Sequence, residues 1–167
     1  MPEPLRILIT AGPTHEPIDR VRYIGNRSSG KMGVALAEAA AQRGHHVTLA
    51  LGPSAFTGFS NPSGGAAAHS SHPRLLRFQT VTDLQALLRA EAPGAQVLIM
   101  AAAVADYRPK PLASGERPAK FRRTDGPMTL ELESTPDLIA EVAAARRTRE
   151  AAAPSERGGH QTLVAFA

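Results

Sequence analysis

Cysteine is absent from all 167 residues, which excludes a disulfide scaffold, thiol catalysis and cysteine-ligated zinc or iron–sulfur centres. Tryptophan is absent too, and phenylalanine and tyrosine make up only 4% of the chain, so the aromatic platforms that stack single-stranded bases are missing and nucleic acid is not an expected partner. No apolar run approaches the roughly eighteen residues of a membrane helix. Met1 to Thr10 also lacks the basic-then-apolar layout of a signal peptide, so a cytoplasmic protein with no membrane contact is expected. Acidic residues are in slight deficit, 15 against 19 Lys and Arg, and the net charge of +4 favours anionic partners, whether phosphorylated metabolites, nucleotides or nucleic acid. What remains is ordinary globular usage, 43% apolar and 20% charged, at a length that predicts one domain over 1–167.

Leu5 to Thr10 is a short apolar and β-branched run stopped by Ala11-Gly12-Pro13, and Gln96 to Ala103 is a second such run. Continuous rather than alternating hydrophobicity implies strands covered on both faces, as in a parallel sheet. His46 to Leu51 and Leu75 to Val81 read as further strands. Between them Lys31 to Arg43 places Met32, Leu36, Ala39 and Ala40 on one helical face, with Ser28 and Ser29 as caps and Gly44 as the stop. Thr82-Asp83-Leu84-Gln85 has the spacing of a capping box, and Pro93-Gly94 closes that segment. Thr135-Pro136-Asp137 supplies a cap, an N1 proline and a first-turn acid for a helix to about Arg147. The alternation predicts an α/β, Rossmann-like three-layer sandwich around a mostly parallel sheet.

Three segments break the rhythm. Residues 52–73 and 108–119 are rich in Gly, Ser, Ala and Pro and are expected to be mobile loops, and Arg146 to His160 a fraying helix end and linker. Lys120 to Arg123, the turn Thr124-Asp125-Gly126-Pro127 and Met128 to Ser134 read as a β-hairpin flap with cationic tips. Thr162 to Ala167 starts another apolar strand at which the sequence stops, so a chain truncated at its C-terminus is expected.

The richest chemistry lies at Gly25 to Gly33. Ser28, Ser29, Gly30 and Lys31 stand at a helix start, where free N–H groups and the helix dipole favour a phosphate. The spacing matches a P-loop, but Met32 occupies the magnesium-binding Ser/Thr position and fourteen residues separate Thr10 from Gly25, against a P-loop phosphotransferase. A capped helix with a solvated lysine reads the same residues without a ligand. Gly12 to Asp19 follows the first strand, where open sheets bind ligands, although Glu16 and Asp19 could simply pair with Arg20 or Arg22. Ala101 to Ala105 would let a flat base or ribose lie against the backbone, with Asp106 able to bind a hydroxyl or hydrated cation, or to form a turn. Lys120, Arg122 and Arg123 could clamp phosphate oxygens or merely protect an edge strand. The six histidines show no metal spacing.

These blocks together resemble the phosphopantothenate–cysteine ligase domain of the bacterial bifunctional coenzyme A biosynthesis protein. The carrying residues are Thr10 to Thr14 with Glu16 to Asp19, Val21 to Ile24, Asn26 to Gly33, Ala102 to Pro109, Lys120 in a K-x-K-K-like run, Thr135 to Asp137, and Phe166-Ala167. The run departs from lysine at Arg122 and Arg123, while Arg20 and His15 stand where proline and arginine are usual.

The resemblance implies a homodimeric, Mg²⁺-dependent ligase, unrelated to the ATP-grasp enzymes, that joins 4′-phosphopantothenate to cysteine through an acyl cytidylate made from CTP. It implies that Lys120 is needed to form the intermediate and Asn26 to convert it. It also implies nucleotide-binding positions at Gly12, Ser28 to Lys31, Met100, Ala101, Ala102, Asp106, Lys120, Pro136, Asp137, Leu138, Ile139 and Phe166, with no residue assigned to magnesium. A phosphopantothenoylcysteine decarboxylase is the implied partner, and FMN is not expected on this chain. A non-catalytic nucleotide-binding or dimerisation module stands as the alternative.

Overall fold

The computed structural model describes residues 3–58, 72–111, 120, 127–152 and 161–166. β1 (Arg6–Pro13), β4 (His46–Leu51), β5 (Arg74–Arg77), β6 (Val97–Ala103) and β9 (Thr162–Ala165) form one sheet in the order β5-β4-β1-β6-β9. Every pairing in it is parallel. The order doubles back at β1 and β6, the hallmark of a Rossmann-like switch point. Two short antiparallel pairs stand apart from it: β2 (His15–Pro17) with β3 (Tyr23–Gly25), and β7 (Tyr107–Pro109) with β8 (Leu132–Ser134).

Burial explains the apolar runs. Along β1, Ile7, Ile9 and Ala11 pack with Ala37 and Ala41 of α1 (Lys31–Gln42) on one face. Leu8 faces Leu84 and Leu88 of α2 (Val81–Glu91), and Leu138 and Val142 of α3 (Leu138–Ala152), on the other. Period-two alternation thus feeds two cores, giving the three-layer α/β/α sandwich expected from the sequence. α1 sits close to β1 because Gly33 has no side chain: a Cβ there would come within 2.3 Å of Ala11 Cβ.

Several local expectations need correction. The cap of α1 is Gly30 rather than Ser28 or Ser29, with a left-handed backbone (φ 71°), and the two hydroxyls receive only long bonds of 3.4 and 3.5 Å from Gly30 N and Lys31 N. The strand expected at Leu75 to Val81 is shorter, because Val81 opens α2. The capping box of α2 is Thr80 with Asp83, not Thr82 with Gln85. The hydroxyl of Thr80 accepts from Asp83 N at 3.1 Å, and the Asp83 carboxylate accepts from Thr80 N at 2.9 Å. Burial alone would raise the Asp83 carboxyl, but the backbone and hydroxyl bonds of Thr80 and the Gln79 N–H outweigh it and hold the group below its ordinary value.

Asp137 is itself the cap of α3, its Oδ1 accepting from Ala140 N at 2.9 Å, and the helix runs beyond Arg147 to Ala152. The segment Gly12 to Asp19 contains strand β2. Leu132 to Ser134 pairs with Tyr107 to Pro109, while Phe121 to Gly126, which holds most of the expected hairpin's other strand and its turn, lies outside the described residues. Arg108 and Pro109 are therefore strand rather than loop. The remaining loop assignments fall largely on residues 59–71, 112–119 and 153–160, outside the described residues.

Candidate functional site

At the carboxyl edge of the sheet, the ends of β6 and β9 and the start of α3 enclose a cleft of about 540 Å³. Nine residues singled out from the sequence line it. Asn26 enters from the β3–α1 connection; Met100, Ala102 and Asp106 come from β6 and the turn after it. Pro136, Asp137, Leu138 and Ile139 come from the α3 entry, and Phe166 from the end of β9. Ala101 does not line it.

The α3 end of the cleft is polarised by its backbone. The first N–H groups of any α-helix lack intrahelical acceptors. Asp137 takes the one at Ala140, while the first turn at Leu138 and Ile139 lines the cleft. Such a terminus attracts negative charge. Asp106 is exposed, and half of the Phe166 surface is too, so a carboxylate and an aromatic face are both open to a ligand. Phe166 is anchored to the sheet by its N–H, which donates to Met100 O at 3.2 Å.

Asn26 is held by a bond from its Nδ2 to Val104 O at 2.9 Å. Because a carbonyl only accepts, that contact settles which end of the amide faces it. Ser28, Ser29, Gly30 and Lys31 do not line the cleft. They form the turn that seats α1 on β1, where a Cβ on Gly30 would lie 3.2 Å from Gly12 N and 2.9 Å from Leu51 Cδ1. Gly12, also left-handed (φ 79°), is buried beneath that turn and pairs with Ala102. Lys120 is exposed and lies outside the cleft lining; Arg122 and Arg123 are outside the described residues. A P-loop is further disfavoured, since β2 and β3 intervene between β1 and α1.

The two acids after β1 behave differently from a surface ion pair. Asp19 is 3% exposed and accepts from Arg22 Nε at 2.9 Å and from the N–H groups of Val21 and Arg22 at 2.8 Å. Glu16 is 2% exposed, and its Oε1 accepts from Val81 N, the first N–H of α2, at 2.7 Å. Next to it, His15 stacks on Tyr23 with centroids 3.7 Å apart, and burial lowers its pKa from the ordinary 6.5. Ala103, Val104 and Ala105, from the small-residue stretch that the sequence offers as a bed for a base or ribose, line the cleft too, as does Thr135. Thr135, a helix cap by its sequence, instead turns its hydroxyl to Ala105 O at 2.6 Å.

The residues also set limits on magnesium. Among the described residues no group of three or more His, Asp or Glu side chains is placed to hold a metal ion. One or two carboxylates plus phosphate oxygens suit Mg²⁺, and Asp106 fits that smaller role.

Residues 3–154 match the family described as DNA/pantothenate metabolism flavoprotein C-terminal domain. The chain is similar to the coenzyme A biosynthesis bifunctional protein CoaBC of Mycobacterium tuberculosis, with 46% identity over 142 residues, covering 84% of this chain and 31% of that protein. It is similar also to the CoaBC of Vibrio cholerae, with 43% identity over 147 residues, covering 86% and 33%. The chain thus spans about a third of the length of these curated relatives.

Among solved structures, the C-terminal domain of a CoaBC superposes with a TM-score of 0.67 at 31% identity, covering 99% of this chain and 64% of that one. The DNA/pantothenate metabolism flavoprotein of Streptococcus pneumoniae gives 0.66 at 25% identity, covering 86% and 66%. A Cab2 variant solved with phosphopantothenate-cysteine gives 0.65 at 20% identity, over 83% and 59%, a likeness of fold alone. The motifs, the fold and these matches agree: the chain belongs to the DNA/pantothenate metabolism flavoprotein C-terminal domain family.

Proposed function

We propose that this chain is a single nucleotide-binding ligase domain that joins 4′-phosphopantothenate to cysteine in coenzyme A biosynthesis, with CTP as co-substrate. In the first step a carboxylate oxygen of 4′-phosphopantothenate attacks the α-phosphorus of CTP, and the bond to pyrophosphate breaks. In the second the amine of cysteine attacks the acyl carbonyl, CMP leaves with the carbon–oxygen bond electrons, and the ammonium proton passes to solvent. Magnesium, carried with the triphosphate, would spread its charge, with Asp106 as the exposed carboxylate of the cleft that would help hold it.

The observation that carries this reading is the cleft itself. The start of α3 offers N–H groups to phosphate, Met100, Ala102 and Phe166 offer an apolar bed for a base, and Asn26 offers an amide in the same cleft. In this reading Asn26 uses its second Nδ2 hydrogen to polarise the acyl carbonyl, and Lys120 on the flap stabilises charge at the α-phosphate. Gly12 and Ser28 to Lys31 belong to the nucleotide site only if ligand binding extends the cleft toward the switch point. The relatives named bifunctional support a decarboxylase partner, and a cytoplasmic homodimer completes the proposal.

Trapping the intermediate tests the division of labour. Asn26→Asp should let acyl cytidylate accumulate, while Lys120→Gln should stop it forming. Equal loss at both steps in both variants would defeat the assignment.

A further inference from the structure

One wall of the cleft is the last residue of β6 and the short connection to β7, Ala103 to Asp106, and its main chain is held from three separate elements. Thr14, fully buried between β1 and β2, donates its N–H to Ala103 O at 3.2 Å, and its Oγ1 accepts from Ala105 N at 2.9 Å. Asn26 Nδ2 donates to Val104 O at 2.9 Å. From the α3 entry, Thr135 Oγ1 donates to Ala105 O at 2.6 Å, and Thr135 N donates to Asp106 O at 2.9 Å.

Val104 O and Ala105 N belong to the same peptide group. The carbonyl that seats Asn26 and the N–H that Thr14 receives are therefore opposite ends of one rigid plane. Rotation of that plane breaks both bonds together, and each bond polarises the group in the sense that strengthens the other. Thr135 fixes the next carbonyl and so restrains the plane's other neighbour. Valine has the shape of threonine without its oxygen; in place of Thr14 it would leave Ala105 N–H buried and unpaired, an arrangement native structures avoid.

We infer that Thr14 and Thr135 are positioning residues: the Thr14 hydroxyl holds the Val104–Ala105 peptide, the Thr135 hydroxyl holds the adjoining Ala105–Asp106 peptide, and together they set the direction of the Asn26 amide in the cleft. The inference rests on the ligase reading given above, and it makes their effect selective for the step assigned to Asn26. Misplacement of a catalytic group by about 1 Å can cost roughly a hundredfold in rate. Thr14→Val should therefore slow consumption of acyl cytidylate by about ten- to a hundredfold, while pyrophosphate release and the KM for CTP stay within about threefold. Thr14→Ser, which keeps the oxygen, should recover most of the loss.

The experiment uses the protein as its gene encodes it, with CTP and 4′-phosphopantothenate, at a temperature well below each variant's melting midpoint. Pyrophosphate release is followed first, and conversion of the accumulated intermediate after cysteine is added. Thr135→Val gives a second, independent reading should Thr14→Val fail to fold. Equal slowing of both steps in the folded Val variants, or a Ser variant no better than Val, would overturn the positioning role while leaving the ligase reading intact. Absence of pyrophosphate release in the unmodified protein would overturn both.

Discussion

Replacing Glu16 should damage this protein far more than its place in a small hairpin implies. The carboxylate is 2% exposed and accepts the first N–H of α2 at 2.7 Å, while the adjacent His15 N donates to Gln79 O at 2.7 Å. Together these bonds fasten the β2–β3 hairpin to the start of α2. A hydrogen bond to a charged group contributes about 1.5–3 kcal/mol, and a negative charge at a helix N-terminus up to about 2 kcal/mol in a partly buried setting.

Glu16→Gln retains an acceptor and loses the charge, so about 1 kcal/mol of destabilisation is expected. Glu16→Ala leaves the Val81 N–H buried and unpaired and opens a cavity, for about 2–4 kcal/mol. At roughly 2–4 °C per kcal/mol for a chain of this size, the alanine variant should melt about 5–15 °C lower. Thermal unfolding at neutral pH, followed by circular dichroism, reads both variants. An alanine variant within about 2 °C of the unmodified protein, or equal losses in both variants, would refute the capping role.

Other consequences follow from particular contacts. Gly33→Ala should destabilise by about 2 kcal/mol despite alanine's better helix propensity, because its Cβ would meet Ala11 Cβ at 2.3 Å; urea titration should show part of the loss recovered by adding Ala11→Gly. Burial lowers the pKa of His15, so its folded state resists protonation, and the stability it contributes above pH 6.5 is lost as pH falls below that value. In His15→Phe, which keeps a ring against Tyr23, the urea midpoint should vary less with pH between about 7.5 and 5; unchanged pH dependence would contradict this. Thr80→Ala should cost about 1 kcal/mol by removing the α2 capping box, whereas Thr82→Ala should be nearly neutral; calorimetric midpoints distinguish the two.

The sheet was largely legible in the sequence because its signals are local. The apolar run His46 to Leu51 coincides with β4, and the uninterrupted hydrophobicity of β1 and β6 reflects cover on both faces. The α2 start was misplaced because Thr80 and Thr82 both satisfy the capping pattern, and only the approach of Glu16 to Val81 distinguishes them. That contact spans 65 residues and leaves no local trace.

The β7–β8 ribbon was missed for a related reason: Tyr107 to Pro109 holds a proline, and its partner lies beyond a long intervening segment. Small residues after β6 marked the cleft in outline. The threonine hydroxyls that hold its wall are visible only once Thr14, Ala105 and Thr135 are brought together by the fold.

The ligase proposal meets its most direct test in pyrophosphate release from CTP, measured with and without 4′-phosphopantothenate before any cysteine is added. The account predicts release that requires 4′-phosphopantothenate and leaves a cytidylate that cysteine then converts. Release indifferent to that substrate, or none at all, would contradict it.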